Sequence, residues 1–194
     1  MGSYHSIAKI GEAILTVLKD ARPPGFDEAQ FALYQAKDFQ SPMQEGVSLY
    51  LYRVTPSSTR RHLPPRIDAQ GRKHRPPLPL DLYYMMTPWA RTAEKQHLIL
   101  GWCLRALEDT PSLPSTLLNQ SGAQPDAFYP DETVDLVLEP IPLADLYDIW
   151  QVSLQHMQVS VSYIARTVAI DSALELNEYA PVQTRSFGAG KPVR

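Results

Sequence analysis

A chain of 194 residues, 44% hydrophobic, 20% charged and with a net charge of −3, is long enough for one well-packed domain and is acidic as a whole. Its single cysteine, Cys103, excludes an intramolecular disulfide framework and a cysteine metal site, and an inert buried thiol in a reducing compartment is expected. The best apolar run, 97–107, is short and carries Arg105, and no apolar leader with a cleavage site opens the chain, so a cytoplasmic protein that does not enter membranes is expected.

In chain order, Ile7, Ile10, Gly11, Ile14, Leu15 and Leu18 recur at helical spacing, predicting a core-packed amphipathic helix over 3–20 that Pro23-Pro24-Gly25 stops. A strand is expected at 31–36. A second, VSLYLYRV at 47–54, sets Val47, Leu49 and Leu51 against Tyr50, Tyr52 and Val54 and is apolar on both faces.

Residues 56–79 hold six cations, Arg60, Arg61, Arg66, Arg72, Lys73 and Arg75, against one acid, Asp68; this segment therefore carries plus five and the rest of the chain minus eight. Turn chemistry at Asp68-Ala69-Gln70-Gly71 and four prolines in RRHLPPRIDAQGRKHRPP predict a long hairpin-like excursion between two central strands.

PPLPLDLYYMMTPWA follows, and its run 80–87 reads as a strand. Leu80, Leu82, Tyr84 and Met86 share one face, and Asp81, Tyr83, Met85 and Thr87 share the other. Two mostly apolar faces fit a sheet interior covered on both sides, or a surface that another subunit covers. Thr87-Pro88 reads as an N-cap and first helical residue. The helix it opens runs to about 109, with His97, Leu100, Gly101, Leu104 and Leu107 on one face, widened by Ile99, Cys103 and Ala106, and is expected to be covered on more than one side.

Residues 110–130 read as a loop with at most a helical turn at 115–119. A half-exposed strand at 133–139 turns Val134, Leu136 and Leu138 inward, and a short helix at 142–150 turns Leu143, Leu146, Ile149 and Trp150 inward with Asp145 and Asp148 outward. The last element, 157–171, alternates over about fifteen residues, far beyond the usual five or six. Such a strand either bends at a bulge or projects toward a neighbour. The sum predicts one α/β (α+β) domain over 1–172, a mixed β-sheet with helices packed on it and a long basic hairpin-like loop, followed by a flexible tail at 173–194.

Chemistry is sparse. The chain lacks G-x-S-x-G, H-x-x-x-H, a Walker motif and a dinucleotide fingerprint, so no catalytic, cofactor or metal residues are read and an enzyme is not expected. The five histidines are scattered; His62 and His74 read as loop polarity and His97 as a core residue. The basic loop could bind nucleic acid, but no aromatic residue interleaves its charges for stacking. It serves equally to dock on an acidic partner or on the acidic face of an identical subunit.

Taken as an ordered set, LYRV, the Arg60-Arg61 loop, PPLPLDLYYMMTPWA, the helix LGWCLRAL, the DIW helix and SVSYIARTVAID resemble the cap or tail-terminator proteins of extracellular contractile injection systems. These are the phage-tail-like particles of the antifeeding-prophage and virulence-cassette type, and the resemblance spans about 7–172. It implies a non-enzymatic protein that needs no cofactor. Such a protein forms a ring with copies of itself, a hexamer, on the distal end of inner tube and sheath, ends polymerisation and fixes particle length. The implied partners are itself, the tube protein and the sheath protein, met in the cytoplasm before any release of the particle. Contacts are expected at Arg60, Arg61, Arg66, Arg72, Lys73 and Arg75 in the loop and at Tyr163, Ile164 and Arg166 on the late strand. The arginine-rich loop and the Ser/Pro/Gln-rich segment after Asp109 depart from the simple pattern. The alternative is a nucleic-acid-binding accessory protein using the same loop.

Overall fold

The apolar stripe at the start of the chain closes into helix α1, Ser6–Asp20, which buries Ile10, Ala13, Ile14, Leu15, Val17 and Leu18. In this computed structural model, residues 4–68, 70–120 and 127–176 are described. Strands β1 (Gln30–Tyr34) and β2 (Gly46–Pro56) follow, then the two short strands of the basic excursion, β3 (Arg66–Ile67) and β4 (Lys73–His74), and the central strand β5 (Leu78–Trp89). After helix α2 (Ala93–Glu108) come β6 (Ser112–Pro114), α3 (Ser115–Gln120), β7 (Thr133–Glu139), α4 (Leu143–Ile149) and β8 (Val161–Ile170).

Six strands form one mixed sheet in the order β1-β2-β5-β8-β7-β6, with β1 parallel to β2 and every other pair antiparallel, while β3 and β4 form a separate ribbon. The fold is therefore α+β with a mixed sheet, as the sequence predicts. Gly46 makes the β1–β2 pairing possible: its φ is +143°, and a Cβ there would stand 2.0 Å from the Gln30 carbonyl oxygen.

Two apolar clusters cover the two sheet faces. On one side α1, α2 and α3 pack on Val47, Leu49, Leu82, Tyr84, Met86 and Val134. On the other, Phe39 and Trp150 close over Met85 and Trp89. Alternation in β5 thus serves two covered faces, as its sequence requires. Cys103 belongs to the buried side of α2, and burial pushes its thiol up to about 12, which leaves it protonated and inert.

Several expectations need correction. Strand β5 continues through Pro88 to Trp89, because burial of Trp89 between Phe39 and Trp150 rewards two further extended residues. Thr87 is no cap; its hydroxyl lies 2.8 Å from that of Ser160, and Thr92 caps α2 by accepting from the Lys95 amide. Helix α2 buries only Gln96, Ile99, Cys103, Ala106 and Leu107, so His97 and Leu98 point to solvent and the helix is covered on one side. Leu143 and Leu138 are likewise exposed, at 75% and 46%. The first strand ends at Tyr34, since the next residues coil into a 3₁₀ turn that buries Phe39. Within the segment read as a loop, β6 pairs with β7. Residues 174–176, assigned to the tail, pair with β4 through the Glu175–His74 bridge; 177–194 and 1–3 lie outside the described residues.

The long last strand resolves into its bulge alternative. Strand β8 spans ten residues, and its register against β5 shifts opposite Leu80 and Leu82, where Thr167 takes φ +59°.

Candidate interaction surface

The basic segment folds as a hairpin, and a single buried carboxylate organises its turn. Asp68 accepts at Oδ1 from the Gln70 and Arg72 amides, at 2.9 and 2.8 Å, and at Oδ2 from Arg72 Nε and His74 Nε2, at 2.8 and 3.1 Å. Gly71, at φ +79°, closes the turn by donating to the Asp68 carbonyl. His74 is therefore a buried structural partner of Asp68, not mere polarity; His62 stays exposed.

Burial alone would raise the Asp68 pKa, but the bonds from His74, Arg72 and Gln70 outweigh it and hold the carboxyl at about 2, below its ordinary 3.8. A depressed folded pKa contributes stability that is complete above 3.8 and is lost as pH falls toward about 2. The gap in denaturation midpoint between wild type and Asp68→Asn should accordingly be widest above that window and close as the solution is acidified through it.

Among the described residues, Arg66 and Arg72 of the loop are paired with acids of this same chain. Arg66 pairs with Glu132 and, at 3.3 Å, with Asp171, and lies over the Tyr129 ring at 4.6 Å. Burial works against its charge, yet the bond to Glu132 prevails and raises its pKa. Arg72 pairs with Asp68 and Glu175. Lys73 is half-buried in β4, and its carbonyl accepts from the Leu176 amide. The side chains of Arg60, Arg61 and Arg75 are exposed and have no ion pair or hydrogen bond among the described residues. This engagement weakens the case for a phosphate-binding footprint of six charges.

Arg60, Arg66 and Arg166 converge on one cleft of about 480 Å³, where the loop, the start of β7 and the end of β8 meet. Asp131, Glu132 and Asp135 line its other side, and Asp135 stands opposite Arg166 in the β7–β8 register. Tyr163 and Ile164 do not reach it; each is 4% exposed and packs inside the domain.

Two residues that the sequence reading passed over set the shape of this cleft. Asp81, buried in β5, accepts from the Thr167 amide at 2.9 Å and from the Ser58 amide at 3.3 Å. It thereby ties the β8 bulge to the point where the loop leaves the sheet. An acid inside an otherwise apolar strand was the available signal. Thr167 holds a left-handed conformation that its branched Cβ disfavours. Thr167→Gly should raise stability by about 1 kcal/mol, read from chemical denaturation, since relief of strain exceeds the loss of a long 3.3 Å contact to Ser57.

The cleft offers charge and shape. No group of three His, Cys, Asp or Glu among the described residues could hold a metal, and no described helix is long and apolar enough to cross a membrane. A model of the Pvc16 N-terminal domain family matches residues 9–184. No curated protein matches the chain. Among solved structures, the sheath/tube terminator of an extracellular contractile injection system, PVC, in its extended state is similar with a TM-score of 0.60 at 18% identity, covering 96% of this chain and 64% of that one. The tube terminating cap of the anti-feeding prophage is similar with a TM-score of 0.59 at 19% identity, over 93% of this chain and 60% of that one. The chain thus spans less than two thirds of either terminator.

Proposed function

The chain belongs to the Pvc16 N-terminal domain family, and we propose that it acts as a structural cap, a terminator that ends growth of the inner tube and sheath of a contractile injection system. The observation that carries this reading is a fold shared with two terminators across nearly the whole described chain, together with the family match. In this reading copies of the chain assemble in the cytoplasm as a sixfold ring on the distal end of the tube, perform no catalysis, and make contact with tube and sheath through exposed surfaces. Arg60, Arg61, Arg75 and Arg166 are the exposed members of the expected contact set that have no ion pair among the described residues; Arg72 is exposed as well but pairs with Asp68 and Glu175.

Electron microscopy of particles from cells with the gene deleted and cells with it restored tests the role. Missing, unstable or irregularly long particles that return to one length on restoration are expected. Particles of unaltered, uniform length in the deletion strain would remove the terminator reading.

A further inference from the structure

Strand β5 fixes the two ends of the sheet. The basic loop leaves and re-enters beside Pro56, Leu78 and Leu80, whereas Trp89 at the far end packs on Trp150, the residue directly after α4. Twelve extended residues put these ends about 35 Å apart. At the loop end, Arg60 and Arg61 are exposed without partners among the described residues. On α4 itself the exposed charges are of the opposite sign. The side chains of Asp145 and Asp148 are exposed, again without an ion pair or hydrogen bond among the described residues, and the same helix exposes Leu143, at 75%, and Tyr147, at 47%.

A seven-residue helix that buries none of its own residues and shows apolar side chains next to carboxylates has the makeup of one half of an interface. The loop offers the other half, with Leu63 and Pro64 beside its two arginines. Opposite charges at opposite ends cannot satisfy each other within one copy. Between copies they join head to tail, and a head-to-tail contact repeated by rotation closes a ring.

We propose that the exposed face of α4 receives the Arg60-Arg61 loop of the next copy of this chain. The proposal rests on the ring reading above and names the two surfaces that build it. Because its charges are exposed, the contact weakens as salt rises.

Charge exchange tests it on the full chain, with self-association followed by sedimentation velocity and folding checked by circular dichroism. Arg60→Glu/Arg61→Glu and Asp145→Lys/Asp148→Lys should each lower the association constant by about tenfold or more, since like charges then face each other. The chain carrying all four changes should recover to within about threefold of wild type, because the pairing is restored with its signs exchanged. Equal mixing of the two double variants should give an alternating assembly that neither forms alone. A wild-type chain that stays monomeric at its highest soluble concentration overturns the contact, as do double variants that associate normally or a quadruple variant no better than its parents. Particle length in the deletion strain reads the terminator role separately, so rescue of association alongside unaltered particles would keep this contact and remove the cap.

Discussion

Trp150→Ala is expected to lower the free energy of unfolding by about 4 kcal/mol, the middle of the range for an aromatic truncated in a core. The indole is fully buried and meets the Phe39 and Trp89 rings edge to face at 5.3 and 6.1 Å. Among the described residues, Phe39, Met85 and Trp89 are the other buried members of its cluster, and rings make up most of its lining, so the space collapses only in part. Trp150 Nε1 has no hydrogen-bond partner among the described residues, and Trp150→Phe should cost only about 1–2 kcal/mol, because volume is lost without any polar contact. Denaturant midpoints of the two variants separate cavity formation from a hydrogen-bonding role. Since α4 is anchored through Leu146, Ile149 and Trp150, the alanine variant should also lose hydrogen-exchange protection over 143–152 before the main sheet opens.

Much of this architecture is legible in the residues. Alternation in VDLVL gives β7 its bounds because only one face of that strand is buried, and a period of two then has one reading. Double-sided apolarity in β5 correctly signals two covered faces. The misreadings share a cause. Thr87-Pro88 carries every local sign of a helix start, yet the local preference is overridden by Trp89, whose ring has partners from distant parts of the chain. His97 and Leu98 show the same limit on a helix: an apolar stripe more than 100° wide leaves open which part of it faces the sheet. Strand β6 is three residues long, and its only distinction is a partner in β7.

The surface was less legible than the core, for an electrostatic reason. Six cations in one segment look like one functional patch when counted along the chain. Folding brings Glu132, Asp171 and Glu175 beside two of them, and Asp68 draws Arg72 and His74 into the hairpin itself. Sequence distance conceals those pairings, since Glu132 and Arg66 stand 66 residues apart. Cations that fold in this way stiffen the hairpin, and those that stay exposed are available to a partner.

Asp81→Ala should cost about 3 kcal/mol, and its consequences reach from the core to the loop. The carboxylate is buried in the central strand and receives two backbone amides, those of Thr167 and Ser58, which belong to different segments. Alanine leaves both donors without that acceptor inside the protein, and each such group costs about 1–3 kcal/mol. Asparagine keeps a carbonyl oxygen for the closer Thr167 amide but turns an NH₂ toward Ser58, so Asp81→Asn should fall between wild type and alanine. A purely space-filling role for Asp81 would instead make asparagine neutral. In the folded alanine variant, exchange of the Thr167 amide should accelerate, because the left-handed bulge loses the bond that offsets its strain. The loop should then leave the sheet along a less defined path and present Arg60 and Arg61 with a greater entropic cost of ordering. Self-association of Asp81→Ala at temperatures where it remains folded should accordingly weaken, although Asp81 itself is only 4% exposed.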